Sequence, residues 1–291
     1  DPSVIAPISD TFVIKNTNLI LFVNDDSTAA DAYCTAVGSE TNNGVTPSTP
    51  RRDPEAVLAE FPLGGGDVVY IDTGVYTMTN RLGMQLGLIG DDLKSGDVSG
   101  PIRIAGSTNL AAGGTVLRAT VDSENAMRII NTKYIHLDYL RFNGSKTNGL
   151  LLSESENIQV QWCDAFDNGI GFNSDNSRGV VFRHSAAWSN QQWGLLAMGS
   201  FSEVNWSYGV LSANGLGAIQ HLRGLLSVSN SILVASSNTL LYSINSAFAS
   251  SFGNFNLYWS PSNSTLMRDT FTSESYANVR SWQHRRGMDT N

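Results

Sequence analysis

Five segments within residues 129–238 share one alternation of apolar and polar positions. Ile135-His136-Leu137, Ile158-Gln159-Val160, Val180-Val181-Phe182, Val204-Asn205-Trp206 and Leu226-Ser227-Val228 each set two apolar side chains two residues apart. Residues two apart in a strand share a face, so each segment predicts a short strand with one buried side. Asparagines trail the segments at Asn148, Asn168, Asn190, Asn214 and Asn238, spaced by 20, 22, 24 and 24 residues. Strand-like alternation on a period in the low twenties predicts a solenoid of stacked β-coils. In register, the segments predict two core ladders, Ile135/Ile158/Val180/Val204/Leu226 and Leu137/Val160/Phe182/Trp206/Val228. The trailing asparagines predict a polar corner ladder, because Asn tolerates left-handed backbone and bonds its own turn.

The same pattern extends outward from the repeats. A first strand is expected at Leu19-Ile20-Leu21-Phe22-Val23, and others at 67–72, 74–76, 86–90, 102–106 and 116–118. Residues 91–100, acidic and Gly-rich, read as a loop thrown out from a corner. Asp53 is a good N-cap and Pro54 suits a first helical position, so 53–61 predicts a short helix. Its Val57, Leu58 and Phe61 form an apolar stripe able to cover the open end of a solenoid. Later coils are expected at 240–242 and 254–259. A second helix is predicted over 273–286, capped by Ser273, with Tyr276, Val279 and Trp282 inward and Gly287 as its stop. Residues 1–18, with Pro2 and Pro7, read as a linker or arm ahead of a single domain over 19–291.

The succession Thr41-Asn42-Asn43-Gly44, Thr49-Pro50, the helix at 53–61, Gly66-Asp67-Val68-Val69-Tyr70-Ile71 and Thr73-Gly74-Val75-Tyr76 resembles the entry into parallel β-helix proteins of the pectate-lyase-like superfamily. The closing Trp282-Gln283 and Gly287-Met288-Asp289-Thr290-Asn291 resemble a segment near the end of many of them, after which those chains continue. The resemblance implies an all-β, right-handed parallel β-helix, and a sequence that is part of a longer polypeptide. It implies no single activity, since such proteins include polysaccharide lyases, epimerases, hydrolases, tailspikes and non-catalytic surface proteins.

Charge and composition narrow the partners. Only 15% of residues are charged, the net charge is −8 and the pI is near 4.9. That balance disfavours nucleic acid and anionic membrane surfaces. No apolar run is long enough for membrane insertion. With four lysines in the chain, a positive site must rest on arginines. Cys163 falls on an inward position and reads as a buried thiol, while nothing in the spacing supports a bridge to Cys34. Asp25, Asp26 and Asp31 could gather calcium, a hard cation that takes oxygen ligands, or form a solvated acidic turn; no other cofactor is expected. Gly64-Gly65-Gly66 precedes a strand and lacks the lysine of a phosphate loop.

The register also yields candidate chemistry. Tyr139, Trp162, His184 and Tyr208, then Asn230, fall in one column at a corner, where rings could stack along the axis or present a platform for sugars. Beside it run Asp138/Gln161/Arg183/Ser207 and Arg141/Asp164/Ala186/Val210. A uronate lyase or epimerase needs a cation against the sugar carboxylate and groups that move protons. Arg183 could be that cation, and His184, Tyr139 or Tyr208 could move protons; the bland alternative is cross-coil salt bridges on a solvated face. The preceding strands appear outwardly apolar at Arg128, Leu151, Gly171, Leu196 and Ile219, a strip suited to cover by a loop or a neighbouring subunit in self-assembly. Two functional readings follow. The first is a non-catalytic extracellular or cell-surface module that contacts polysaccharide or other surface proteins. The alternative is a polysaccharide lyase or epimerase acting through Arg183 and His184, with Tyr139, Trp162, Tyr208, Asp138, Arg141 and Asp164 about the ligand.

Overall fold

The computed structural model describes residues 18–81, 83–87, 95–120, 123–237, 239–245, 249–261 and 265–286. The arm expected before residue 18, Asn238, part of the loop expected at 91–100 and the stop at Gly287 lie wholly or largely outside the described residues.

Each coil contributes one strand to each of three parallel sheets, called here sheets 1, 2 and 3 in chain order. One full coil is Lys133–Asp138, Leu140–Asn143 and Asn148–Ser153; the next begins at Glu156–Gln161, directly above Lys133–Asp138. The chain is thus an all-β parallel solenoid with very few helices. Register follows the apolar pattern. Ile158 pairs with Ile135, Val160 with Leu137 and Phe182, and Trp206 with Phe182 and Val228. Both expected ladders are fully buried and belong to one continuous core. Alternation accounts for this: once one face of a strand is committed to the interior, a one-residue slip would expose the whole set.

Three corners repeat one local solution. A residue in left-handed backbone turns the chain, and at the second and third corners a small polar residue follows and bonds to a neighbouring coil. The left-handed residues are Tyr139, Trp162, His184, Tyr208 and Asn230 between sheets 1 and 2; Gly144, Asp167, Ser189 and Ala213 between sheets 2 and 3; and Asn131, Glu154, Asn176 and Gly199 between sheets 3 and 1. The following residues include Ser145, Asn168, Asn190 and Asn214 at the second corner, and Ser155 and Ser177 at the third. The asparagine ladder is therefore built from Ser145, Asn168, Asn190 and Asn214. Asn148 does not belong to it; it lies in a sheet 3 strand and donates to Asn125. Nor do the ladder asparagines take the left-handed turn, which falls on the residue before each of them.

The sheet 3 strip also differs from expectation. Arg128 and Leu151 pair with Asn173, Leu196 and Gln220 rather than with Gly171 and Ile219. Gly171 turns toward the asparagine ladder, where a Cβ would stand 2.9 Å from Asn190 Nδ2. Ile219 is core. The neighbouring positions Ile170, Trp193 and Leu196 form a small second apolar cluster.

Helix α1 spans Pro54–Glu60, with the Asp53 side chain accepting from Glu55 N and with Val57 and Leu58 buried in the core. Helix α2 spans only Val279–Arg286. The residues expected to begin it form the strand Glu274–Tyr276, antiparallel to Met267–Asp269, and Ser273 sits in a left-handed turn. Asn278 accepts from Ser281 N in the capping role instead. Trp282 is buried against Tyr242 and Tyr276. Cys163 is buried, and both cysteines are free thiols. Among the described residues no helix is long and apolar enough to cross a membrane.

Candidate functional site

The corner column forms as a ring stack. Tyr139 and Trp162 are nearly coplanar in orientation at 2° with centroids 6.1 Å apart, Trp162 and His184 lie at 4.3 Å and 11°, and His184 and Tyr208 at 5.3 Å and 26°. Left-handed backbone costs a non-glycine residue about 1–2 kcal/mol. Two contacts offset that cost here. The ring gains a stacking neighbour, and the amide of each turn donates to the coil above, as from Trp162 N to Arg183 O and His184 N to Ser207 O. The stack has a consequence for sugar binding. Ring faces are largely turned on one another, so ring edges and the offset part of the Trp162 face meet solvent; Trp162 and Tyr208 are 43% and 53% exposed. Phe255, also left-handed, continues the column beyond Asn230.

The ionisable residues divide into pairs. Arg141 Nε lies 3.2 Å from Asp164 Oδ2, as their predicted adjacency on successive coils requires. The contact is one of charge, since the buried Nε meets no well-aligned acceptor. Burial raises the Asp164 carboxyl despite Arg141 beside it. Asp138 pairs with a residue outside the expected cluster: Arg103 Nε donates to its Oδ2 at 2.6 Å. Burial works against the Arg103 cation, but the Asp138 bond and charge outweigh it and raise its pKa. Arg183 is exposed at the end of its strand, and among the described residues no side chain bonds or pairs with its guanidinium.

The outward side of sheet 1 gathers these groups. Arg103, His136, Gln159 and Val181 stand in one row, and Asp138, Gln161 and Arg183 in the next. A groove of about 440 Å³ covers His136, Gln159 and Val181 of the first row, lined also by Tyr134, Asn157 and Gly179 and walled by Asp97, Val98 and Pro101. His136 is half-buried there, and burial lowers its pKa, so its imidazole is neutral at neutral pH. Gln161 donates to Gln159 across the row at 3.1 Å. Arg103 and the wall at 97–101 are the parts that repeat reasoning misses. The Ile102-Arg103-Ile104 alternation could have placed Arg103 beneath His136, had the alignment been carried one coil earlier.

Asp138→Asn is expected to lower stability by about 1 kcal/mol, because the pair is partly exposed and screened. Thermal melts should show a difference from wild type that shrinks as salt is added. A difference that grows with salt would contradict the pairing.

The expected calcium ligands take separate partners. Asp25 Oδ1 accepts from Ser27 N, Asp26 meets Arg52 at 3.2 Å, and Asp31 Oδ2 accepts from Asn24 Nδ2 at 2.6 Å. Burial, opposed by the Asn24 bond, lifts Asp31 to about 6. Nearby Asp72 is consumed by the backbone, accepting from Ala32, Tyr33, Cys34 and Thr73 N–H groups.

No protein-family model matches the chain, and no curated protein matches it in sequence. Solved structures do match in fold. An alginate lyase from Paenibacillus sp. str. FPU-7 superposes with a TM-score of 0.54 at 16% identity, covering 74% of this chain and 77% of its own. A rhamnogalacturonan lyase gives 0.51 at 16% identity, over 81% and 74%. A pectate lyase gives 0.51 at 14% identity, over 89% and 82%. The chain shares the parallel β-helix fold of the pectate-lyase-like proteins.

Proposed function

We propose that this protein acts on a uronate-containing polysaccharide held in the groove over sheet 1, by lyase or epimerase chemistry. One observation carries the reading: the outer face of sheet 1 holds a groove lined by Gln159 and by His136, whose burial keeps its imidazole neutral, and on the strand next to that of Gln159 it carries Arg183, whose charge no described residue neutralises. A uronate presents a carboxylate next to the ring C–H that must be deprotonated. Pairing that carboxylate with Arg183 makes the C–H more acidic, and an imidazole, that of His136 or of His184, can accept the proton. Expulsion of the leaving oxygen completes a lyase reaction, whereas return of the proton to the opposite face completes an epimerisation. Fold neighbours named as alginate, rhamnogalacturonan and pectate lyases support the substrate class. A polysaccharide target also favours action outside the cell or at its surface. The same reading takes the coil as right-handed, the sense of about 98% of parallel crossovers, with α1 and α2 closing its ends.

The non-catalytic reading has its own support. Arg103 and Arg141 are already paired with carboxylates, and Trp162 and Tyr208 offer exposed ring edges to a glycan that is bound but not changed. A panel of uronate polysaccharides separates the two. New ultraviolet absorbance from unsaturated ends reports a lyase, and an altered uronate ratio by proton NMR reports an epimerase. Arg183→Ala is expected to lower the rate roughly 100-fold, in the range of losing one preorganised charge contact. His136→Ala and His184→Ala assign the base by which one abolishes turnover. Binding without turnover of any uronate polymer would instead establish the non-catalytic module.

A further inference from the structure

We propose that the outer face of sheet 2, toward the C-terminal end of the stack, is a homodimer interface that docks a second copy of this chain. The strands Val210–Ser212, Ile232–Val234 and Leu257–Trp259 bring Val210, Ile232 and Leu257 into one outward row. These side chains are 36%, 41% and 61% exposed. Tyr208 and Phe255 extend the surface on the corner side, and Trp259 on the other. This face lies on a different sheet from the glycan groove, so the inference does not rest on the proposed activity.

Charge, area and shape point to a second copy. The chain carries 18 basic and 26 acidic residues, yet 207–218, 229–240 and 254–266 contain none of either. Two copies with a net charge of −8 repel each other over most orientations, and this face is one where that penalty is least. At roughly 200 Å² for a whole aromatic side chain, the half-exposed rings and the three aliphatic residues present on the order of 500 Å² of apolar surface. That approaches the apolar share of the roughly 800 Å² per partner in a standard interface. Ser212 and Asn230 supply polar groups at its rim. The face is also corrugated, with a ridge every ~4.8 Å where one coil stacks on the next. A second copy carries the same corrugation at the same period, so two faces related by a twofold axis can interdigitate along their length.

Sedimentation velocity across a micromolar concentration series tests this with the whole chain. Wild type should shift from monomer toward dimer as concentration rises. Leu257→Asp and Ile232→Asp would place a carboxylate in the desolvated face, and self-association should weaken roughly 100-fold. Both positions are exposed in the monomer, so melting of the dilute variants should match dilute wild type. Val45→Asp, at an exposed apolar position elsewhere, should dimerise as wild type does. A wild type that stays monomeric at every concentration overturns the proposal, as does a dimer indifferent to both Asp substitutions. Monomeric protein whose tryptophan emission shifts on adding a polysaccharide, with the shift lost in Leu257→Asp, overturns it in favour of a glycan-docking face.

Discussion

Asn190→Ala is expected to remove about 4 kcal/mol of stability, measured as a fall in the urea midpoint at unchanged m. Asn190 sits in the middle of the corner ladder and is almost wholly buried. Its Oδ1 accepts from both the backbone N–H and the Nδ2 of Asn168, and its Nδ2 donates to Ala165 O and to Asn214 Oδ1. Each such bond is worth about 1 kcal/mol net, and a buried donor left without a partner costs about 1–3 kcal/mol. Truncation to Ala strands the Asn168 backbone N–H and takes a donor from Ala165 O in a buried corner. Against a total of roughly 5–15 kcal/mol for a typical domain, such a loss is a large fraction. The neighbouring Asp167 and Ser189 turns carry no comparable side-chain bonds and should tolerate Ala better. A loss below about 1 kcal/mol at Asn190 would show that the ladder decorates the corner without holding it.

The ladder also marks how far the sequence alone could be read. Two-residue alternation located the five sheet 1 strands of the clear repeats and their register, because a buried face leaves no latitude for slippage, but it did not find the sheet 1 strand Ala249–Asn254. The adjacency of Arg141 with Asp164 and of Trp162 with His184 followed from that register. Sheet 3 was less legible. Gly149, Gly171 and Gly194 each point toward a ladder asparagine, and the residue after each is also core, so two consecutive positions face inward. Simple alternation has no place for that, and counting through it puts Gly171 and Ile219 outside. Asn148 looks like a ladder member by spacing, yet Ser145 takes that place, donating its N–H and its hydroxyl to Asn168 Oδ1. One glycine is explained by its neighbour rather than by its turn. Gly209 stands where other coils have Cys163, Ser185 and Ser231, because Trp206 lies beneath and a Cβ would meet its Nε1 at 2.6 Å.

The candidate site was legible in part for the same reason. Arg183 and His184 follow from the repeat itself. Arg103 lies one coil ahead of the clear repeats, where Ile102 pairs with Ile135 at a spacing of 33 residues rather than the 23 from Ile135 to Ile158, and the insertion at 91–100 just before it also helps to wall the groove. The polar face and the wall that shapes it thus come from regions with different sequence signals. Among the described residues Arg103 is paired with Asp138 and Arg183 meets no carboxylate, a distinction that depends on which partner each side chain meets and is invisible to composition.

Acid should destabilise the C-terminal end of the stack through His221, by about 3 kcal/mol between pH 7 and pH 4. His221 is fully buried on the inner side of sheet 3. Its Nε2 lies 3.1 Å from Arg223 O, a carbonyl that can only accept, so the proton is on Nε2. Nδ1 is then the acceptor for the Ser251 hydroxyl at 2.8 Å, and Tyr242 donates in turn to Ser251 at 2.7 Å. A second proton on the ring would have to displace the Ser251 bond, and burial lowers the pKa from 6.5 to about 4. Between those two values the unfolded chain holds a proton on this imidazole that the folded chain does not. Stability is therefore fully present above about pH 6.5, falls as pH drops through the window, and loses nothing further from this group below about pH 4. Asp31, Asp164 and Asp175 have raised pKa values, chiefly through burial, and act in the opposite direction, binding protons more readily when folded. The net pH profile of the wild type accordingly mixes both signs. Urea unfolding of wild type and His221→Gln at matched pH isolates the histidine: the wild type should lose about 3 kcal/mol more than the variant on going from pH 7 to pH 4. Parallel curves for the two proteins would mean that the ring is protonated, or reached by solvent, in the folded state, and that the Ser251–His221–Tyr242 network does not close this end of the core.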